Sequence, residues 1–257
     1  MKLPFAGRLL AVAILAAAAT SLPLSSAFAD TPEKPKVALV MKSLANEFFL
    51  TMEDGAKAYQ KEHPADFELI SNGIKDETDT ANQIRIVEQM IVSKVSALVI
   101  APADSKAMVP VIKKAVDAGI TVINIDNQLD PGVLKSKNIS VPFVGPDNRK
   151  GARLVGEYLA KQLKAGDEVG IIEGVSTTTN AQQRTAGFKD AMDAAQIKVV
   201  SLQSGDWEIN AGNRVASAML SEYPNLKALL AGNDSMAVGA VSAVRAAGKA
   251  GKVQVVG

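Results

Sequence analysis

The chain has 257 residues, with 28 basic and 27 acidic side chains, a formal net charge of +1, one histidine and no cysteine. The balanced charge offers no basic surplus for binding nucleic-acid phosphates, and the lack of cysteine excludes disulfides, thiolate catalysis and cysteine-bound zinc. A histidine-based triad would have to use His63, which lies at a predicted helix end, where a solvated side chain is the more ordinary role. We therefore expect no catalytic residue, no metal, no cofactor and no nucleic-acid partner.

The N-terminus has the order of a secretory signal peptide. Lys2 and Arg8 form a positive region, residues 9–19 are apolar, and a polar stretch leads to an Ala-Phe-Ala pattern that ends at Ala29. A membrane anchor or a buried helix would use the same apolar run, which is short against the ~20 residues of a membrane-spanning helix. The pattern predicts cleavage after Ala29 and a periplasmic location. Removing residues 1–29 would take away two basic side chains and leave a net charge of about −1.

Short apolar segments alternate with helical patterns along the rest of the chain. Helical spacing appears, for example, at Phe49, Met52 and Ala56. The segment 97–100 is apolar on both faces, as expected for a parallel strand that helices cover on both sides. Nine strands are predicted, at residues 36–41, 67–71, 97–100, 121–125, 140–144, 168–172, 198–202, 227–230 and 252–256. Their spacing is close to the ~30 residues of a strand–helix–strand unit, so the predicted fold class is α/β, doubly wound.

The segment 127–146 is predicted to be poor in helix, and it separates two similar arrays of strands and helices. A boundary near Gly145 predicts a signal peptide at 1–29, an N-terminal lobe at 30–145 and a C-terminal lobe at 146–257, joined by a hinge. One wide sheet with a long loop is the alternative. The last predicted strand runs into Gly257, where a ligand loop is due. We therefore expect the C-terminal lobe to be incomplete.

Hydrogen-bonding side chains and large aromatics follow several of the predicted strands. They lie in residues 42–49 after the first strand, 126–127 after the fourth, a polar segment that ends at Arg184 after the sixth, 206–207 after the seventh and 233–234 after the eighth. Carboxylates, amides and arginine can each hold neighbouring hydroxyls in a fork, and the C–H face of a sugar ring docks on an aromatic ring. The combination predicts a site for a polyhydroxylated ligand.

Simpler roles compete at single positions. Asn46 or Asn233 could only cap a helix. One of the neighbouring Phe48 and Phe49 could lie in the core, and Arg184 could be a solvated helix residue. Such residues at five strand ends together favour a shared site.

Residues 36–257 resemble the ribose-binding protein group of type I periplasmic binding proteins. The resemblance is carried by VALVMKSLANEFF at 37–49, NIDNQ at 124–128, VGPDNRKGARLVG at 144–156, NAQQRTAGF at 180–188, GDW at 205–207 and GNDSMAVG at 232–239. It implies sugar contacts from Lys42, Asn46, Phe48, Phe49, Asp126, Asn127, Arg184, Trp207 and Asn233. It also implies three further contacts after Gly257. Lys42 stands where ribose binders carry a small hydroxyl residue, and Asn127 stands where they usually carry arginine.

These departures leave a pentose, a hexose or a sugar alcohol open. The resemblance implies a monomer that captures its ligand by hinge closure and delivers it to the membrane subunits of an ABC importer, with a chemoreceptor as a further partner. A ligand-sensing regulator of the lac-repressor type shares the fold but would need a helix-turn-helix in place of the predicted signal peptide. An enzyme is a third class, although G-x-S-x-G, G-x-G-x-x-G and Walker A motifs do not occur. A fourth expectation is that this chain, lacking three contacts, binds nothing.

Overall fold

The computed structural model describes residues 34–257, in which strands and helices alternate. The elements are β1 Lys36–Ser43, α1 Glu47–Glu62, β2 Glu68–Ile74, α2 Thr80–Val92, β3 Ala97–Ile100, α3 Val109–Asp117, β4 Thr121–Ile125, α4 Pro131–Ser136, β5 Phe143–Val144, α5 Asn148–Ala160, β6 Glu168–Glu173, α6 Thr179–Ala194, β7 Lys198–Ser204, α7 Ile209–Glu222, β8 Leu226–Ala231, α8 Asp234–Ala246 and β9 Gln254–Val256. The predicted signal peptide lies outside the described residues, so its cleavage stays a prediction.

The strands form two separate parallel sheets. The first has the order β2-β1-β3-β4-β5, and the second has the order β7-β6-β8-β9. Within the described residues this arrangement excludes the alternative of one wide sheet and confirms the predicted α/β, doubly wound class. We call β1–β5 with α1–α4 the first lobe, and β6–β9 with α5–α8 the second lobe. The boundary near Gly145 stays a prediction.

Both faces of each sheet are buried, which is why the strands are apolar on both sides. In β1, Ala38 and Val40 point into one core cluster, whereas Leu39 and Met41 point into another that contains Phe49 of α1. The second lobe repeats this pattern, with α7 and α8 over one face of the sheet and α5 and α6 over the other. The strands therefore have fixed faces, and their carboxyl ends carry the polar loops.

Several strands begin or end at other residues than predicted, and two differences have a clear local cause. The segment predicted to be poor in helix contains the short helix α4, because Asp130 accepts a hydrogen bond from the Val133 N–H at 2.8 Å and Pro131 suits the first helical position. β5 is shorter than predicted. Pro142 cannot donate to a ladder, although its carbonyl accepts from the Asn124 N–H at 2.9 Å.

Among residues 34–257, no helix combines the length and the apolar character that crossing a membrane requires. His63, the single histidine, caps the C-terminal end of α1, and its Nδ1 lies 3.2 Å from Asp66 Oδ2. This position agrees with the helix-end role predicted for it.

Candidate functional site

The carboxyl ends of the strands in the two lobes meet at one cleft. In each sheet the chain order reverses, between β1 and β3 and between β6 and β8, and such reversals form ligand crevices in open parallel sheets. Lys42 lies near the end of β1, and Trp207 lies just after β7 in the other lobe. The Lys42 Nζ is 5.3 Å from the centroid of the Trp207 ring. The predicted residues of the two lobes are therefore brought face to face.

A buried charge cluster forms the first-lobe side of this cleft. The Lys42 Nζ is 2.9 Å from Oε2 of Glu77 and 3.8 Å from Oδ2 of Asp126. Lys42 is 3% exposed and Glu77 is 1% exposed. Burial raises the pKa of Glu77, while Lys42 counteracts that rise and Asp126 adds to it. Charges this deeply buried persist only where partners compensate for lost hydration, so the three side chains act as one unit.

Asn46 connects the start of α1 to this cluster. Its Oδ1 accepts a hydrogen bond from the Phe48 N–H at 3.1 Å, while its Nδ2 donates to Glu77 Oε1 at 3.3 Å. The same side chain therefore caps the helix and contacts the cleft, so the two predicted roles are compatible.

The two phenylalanines differ. Phe49 is buried in the core, with its ring centroid 5.5 Å from the Lys42 Nζ. Phe48 is 56% exposed and packs edge-on against Phe49. A sugar contact by Phe48 stays a prediction.

Arg184 is held in place on the second-lobe side. Its Nε donates to Asn148 Oδ1 at 2.8 Å, and its Nη1 donates to the Gly232 carbonyl at 2.7 Å. The guanidinium carbon lies 5.4 Å from the centroid of the Trp207 ring, within range of a cation–π contact. Burial lowers the pKa of Arg184, whereas Asp126 across the cleft and Asp234 raise it. The guanidinium is therefore a fixed donor that faces a carboxylate of the other lobe.

Trp207 is buried in an uncommon backbone conformation. Its φ is +67°, in the left-handed region that bulky residues rarely adopt, and the neighbouring Asp206 has a φ of +52°. A Cβ atom at Gly174 would overlap the indole, so the ring depends on this glycine. Asp126 also has a positive φ, of +57°. Strained turns of this kind cluster at ligand sites, where they fix side-chain direction.

Asn233 has two bonds within the second lobe. Its Oδ1 accepts from the Met236 N–H at 2.9 Å and caps α8, while its Nδ2 donates to the Trp207 carbonyl at 3.1 Å. Its predicted sugar contact stays a prediction, and its visible role is to hold the backbone of Trp207.

Asn127 is fully buried and lies behind the cleft, where it contacts residues of both lobes. Its Nδ2 donates to the Pro102 carbonyl at 2.9 Å, and its Oδ1 accepts from Ser105 Oγ at 3.2 Å and from the Asn180 N–H at 3.3 Å. The structure therefore gives this predicted ligand residue a set of protein partners.

Three buried polar atoms near the cleft have no hydrogen-bond partner within the described residues: Asp126 Oδ2, Trp207 Nε1 and Glu208 Oε1. Glu77 Oε2, in contrast, is paired with the Lys42 ammonium at 2.9 Å. Buried atoms of this kind are costly unless a ligand or water pairs with them. The set contains carboxylate acceptors and an indole donor, which is the mixture that hydroxyl groups satisfy.

Sequence reasoning missed Glu77, Ser105 and Glu208. Glu77 follows β2 and Ser105 follows β3, so both lie at the same sheet edge as the predicted residues. The polar residues that follow β2 and β3 are the sequence signal that identifies Glu77 and Ser105. Glu208 accepts from the Glu77 N–H of the other lobe. A cavity of about 290 Å³ adjoins this contact and is lined by Asp76, Glu77, Thr78, Asp206, Glu208, Asn210, Ala211 and Arg214.

Comparisons with known proteins show the family and agree with the fold. A family described as periplasmic binding protein domain matches residues 37–257. The D-ribose/D-allose-binding protein of Pseudomonas aeruginosa is 79% identical over 257 residues, which are 100% of this chain and 81% of the relative. The D-allose-binding periplasmic protein of Escherichia coli is 33% identical over 239 residues, covering 91% of this chain and 74% of the relative.

Solved structures also match. A solute-binding protein of an ABC transporter from Burkholderia multivorans, whose unknown ligand was interpreted as α-D-erythrofuranose, is 82% identical, with a TM-score of 0.86 over 87% of this chain and 79% of its own. A periplasmic solute-binding protein from Actinobacillus succinogenes with bound D-allose is 38% identical, with a TM-score of 0.80 over 86% of this chain and 77% of its own.

Proposed function

This chain belongs to the family of periplasmic binding protein domains, and we propose that it captures D-ribose, D-allose or an aldose of the same configuration between its two lobes. It is a sugar-capturing solute-binding protein of the ribose group, as its relatives from Pseudomonas aeruginosa and Actinobacillus succinogenes indicate. The proposal adds the identity of the sugar and the residues that hold it.

The observation that carries the proposal is the pairing of unlike groups across the cleft. Asp126 presents a buried, unpaired carboxylate oxygen from the first lobe, and Arg184 and the Trp207 N–H present donors from the second. Each sugar hydroxyl both donates and accepts, so a sugar between the lobes can use both sides. The Trp207 ring would take its C–H surface, and Phe49 would support the site from the core.

The choice among sugars follows from configuration. D-ribose and D-allose have the same configuration at C2, C3 and C4, so one arrangement of acceptors and donors can hold either sugar. An epimer moves one hydroxyl away from its partner and leaves a buried protein group unpaired, which costs more than the loss of one contact.

Calorimetric titration of the purified protein tests the proposal. We expect saturable one-to-one binding of D-ribose or D-allose. The C3 epimers D-xylose and D-glucose should bind at least about tenfold more weakly, because each leaves a buried group unpaired. No heat with any sugar or polyol, or equal affinities for a sugar and its C3 epimer, would reject the proposal.

We also propose the finer features of the biology. The mature chain begins at Asp30, is a monomer, docks on the membrane subunits of an ABC importer and offers a surface for a chemoreceptor. It returns its sugar unchanged, because it binds without catalysis. N-terminal sequencing tests the start of the mature chain, and light scattering tests the monomer. Pull-down experiments test the importer and the chemoreceptor, and mass spectrometry tests whether the released sugar is unchanged. A product of altered mass would indicate an enzyme.

A further inference from the structure

Helix α6 of the second lobe begins without a cap from its N-cap side chain. Its N-cap residue is Thr178, whose side chain accepts no hydrogen bond from the helix and instead donates to the Val175 carbonyl at 2.6 Å. Within its own lobe, the Ala181 N–H donates to Asn180 Oδ1 at 2.9 Å, whereas the two preceding N–H groups have partners in the other lobe. The first N–H groups of a helix have no partner within the helix and need one from elsewhere. The start of α6 is buried, so the partners must come from the protein.

The first lobe supplies these partners. The Thr179 N–H donates to Ser105 Oγ at 2.8 Å, and the Asn180 N–H donates to Asn127 Oδ1 at 3.3 Å. Thr179 Oγ1 adds a bond of 2.9 Å to the Ser105 hydroxyl. The Ser105 N–H in turn donates to the Thr177 carbonyl at 3.4 Å. The helix of one lobe is therefore capped by side chains of the other.

The capping side chains are themselves fixed. The Ser105 hydroxyl donates to Asn127 Oδ1 at 3.2 Å, and Asn127 Nδ2 donates to the Pro102 carbonyl at 2.9 Å. The Asn127 carbonyl accepts from Asn124 Nδ2 at 2.8 Å. Ser105 and Asn127 are both buried. They form a preorganised pair of acceptors, because hydrogen bonds within the first lobe already fix their conformations.

We propose that Ser105 and Asn127 form a closure latch, which caps α6 only when the lobes are together and thereby sets the affinity for sugar. The latch acts through α6, which carries Arg184 about one turn further along. Opening the cleft leaves the first N–H groups of α6 without these partners, so the latch favours the closed form. Because ligand affinity scales with the population of the binding-competent form, the latch strengthens binding while touching no sugar atom.

The latch has a signature that distinguishes it from a sugar contact. A residue that acts on closure changes the affinity for every ligand by the same factor, since each ligand draws on the same closed population. A residue that contacts a hydroxyl changes affinities by factors that depend on the sugar. The proposal goes beyond the proposed function and relies on it only for the titration.

Calorimetry with D-ribose and D-allose tests the latch in two variants. Ser105→Ala should weaken binding of both sugars by the same factor, roughly fivefold, as expected for one net hydrogen bond. Thr179→Val should have a smaller, equally uniform effect. The double variant should bind sugar no more weakly than Ser105→Ala, because Ser105→Ala has already removed the hydrogen bond between the two hydroxyls. The matched control is Asp167→Ala, which removes a side-chain acceptor from the Lys164 N–H within the second lobe and should leave affinity unchanged.

Amide hydrogen exchange of a peptide covering residues 176–184 gives a second readout. In the wild type, sugar should slow exchange at Thr179 and Asn180, and Ser105→Ala should exchange faster than Asp167→Ala with and without sugar. Unchanged affinity together with unchanged exchange in Ser105→Ala would overturn the latch, and so would factors that differ between the two sugars. If the wild type binds no sugar, the proposed function fails, while the exchange comparison without sugar still decides on the latch.

Discussion

The two sides of the cleft differ in the chemistry they offer. The first lobe presents carboxylates, Glu77 and Asp126, grouped around the ammonium of Lys42. The second lobe presents donors, the guanidinium of Arg184 and the indole N–H of Trp207, beside an aromatic face. A hydroxyl requires both kinds of partner. We therefore expect the proposed sugar to use partners from both lobes, so that selectivity depends on the closed form.

The two sides also differ in how they are held. Side chains hold one another on the first-lobe side, through the ion pairs of Lys42 and the Asn46–Glu77 bond. Main-chain groups hold the second-lobe side, since Arg184 donates to the Gly232 carbonyl and Asn233 donates to the Trp207 carbonyl. We therefore expect the first-lobe side to be sensitive to substitutions that change charge and to pH. The second-lobe side should be sensitive to substitutions that change side-chain volume.

Glu77→Gln should have the largest effect on stability. It leaves the buried ammonium of Lys42 with only the more distant Asp126, and breaking a buried ion pair costs about 3 kcal/mol of unfolding free energy. Urea unfolding measures the loss. The control Glu157→Gln breaks an exposed pair with Arg153 and should cost at most about 0.5 kcal/mol. Equal losses in the two variants would show that Lys42 does not depend on Glu77.

Gly174→Ala should disturb the second-lobe side through shape alone. The added methyl group overlaps the Trp207 indole, and overpacking of this kind costs about 2 kcal/mol. The chain has a single tryptophan, so tryptophan fluorescence reports on Trp207, and the wavelength of its emission maximum should shift. In the control Gly151→Ala the new Cβ meets open space, so the spectrum should be preserved and stability should rise by up to about 1 kcal/mol, because alanine favours the helix. An unchanged spectrum in Gly174→Ala would contradict the packing described.

Asp126→Ala should weaken sugar binding at least about tenfold, because the hydroxyls that it accepts from lose their partner. Calorimetry measures the affinities for D-ribose and D-allose. Asp117→Ala, which removes an exposed carboxylate paired with Lys113, is the control and should bind as the wild type does. An unchanged dissociation constant in Asp126→Ala would reject its assigned role.

Glu208→Gln should have a small effect that depends on pH. Burial raises the pKa of Glu208, with Asp76 and Asp206 adding to the rise. A raised carboxyl pKa contributes stability that is present below the unfolded value and is lost as the pH rises through the folded value. The variant and the wild type should therefore melt together well below pH 4.5, the unfolded value, and the variant should melt about 1–2 °C higher at pH 7, since the group is partly exposed. A difference in melting temperature that does not change with pH over this range would contradict the raised pKa of Glu208.

Much of the fold could be predicted from the sequence because the strands are buried on both faces. The predicted bounds of β3 and β4 match the structure, since Pro102 follows β3 closely and the polar pair Asp126 and Asn127 directly follows β4. β5 was overextended because the apolar pattern does not register that Pro142 lacks an N–H. Helix α4 was missed because six residues are too few to show helical periodicity.

The site was predictable where side chains follow a strand in sequence, as at Lys42, Asp126 and Trp207. It was not predictable where function depends on a partner far along the chain. The pattern cannot show that Lys42 is neutralised by Glu77, 35 positions away, or that Asn127 meets Asn180 of the other lobe. Such pairings are set by how the sheets approach each other, which local periodicity does not encode.

A crystal structure of the protein with bound D-allose or D-ribose tests the central claim most directly. We expect one sugar between the lobes, with hydroxyls within hydrogen-bond distance of Asp126 on one side and of Arg184 or the Trp207 N–H on the other. A sugar bound outside the cleft, or one that contacts a single lobe, would contradict the account.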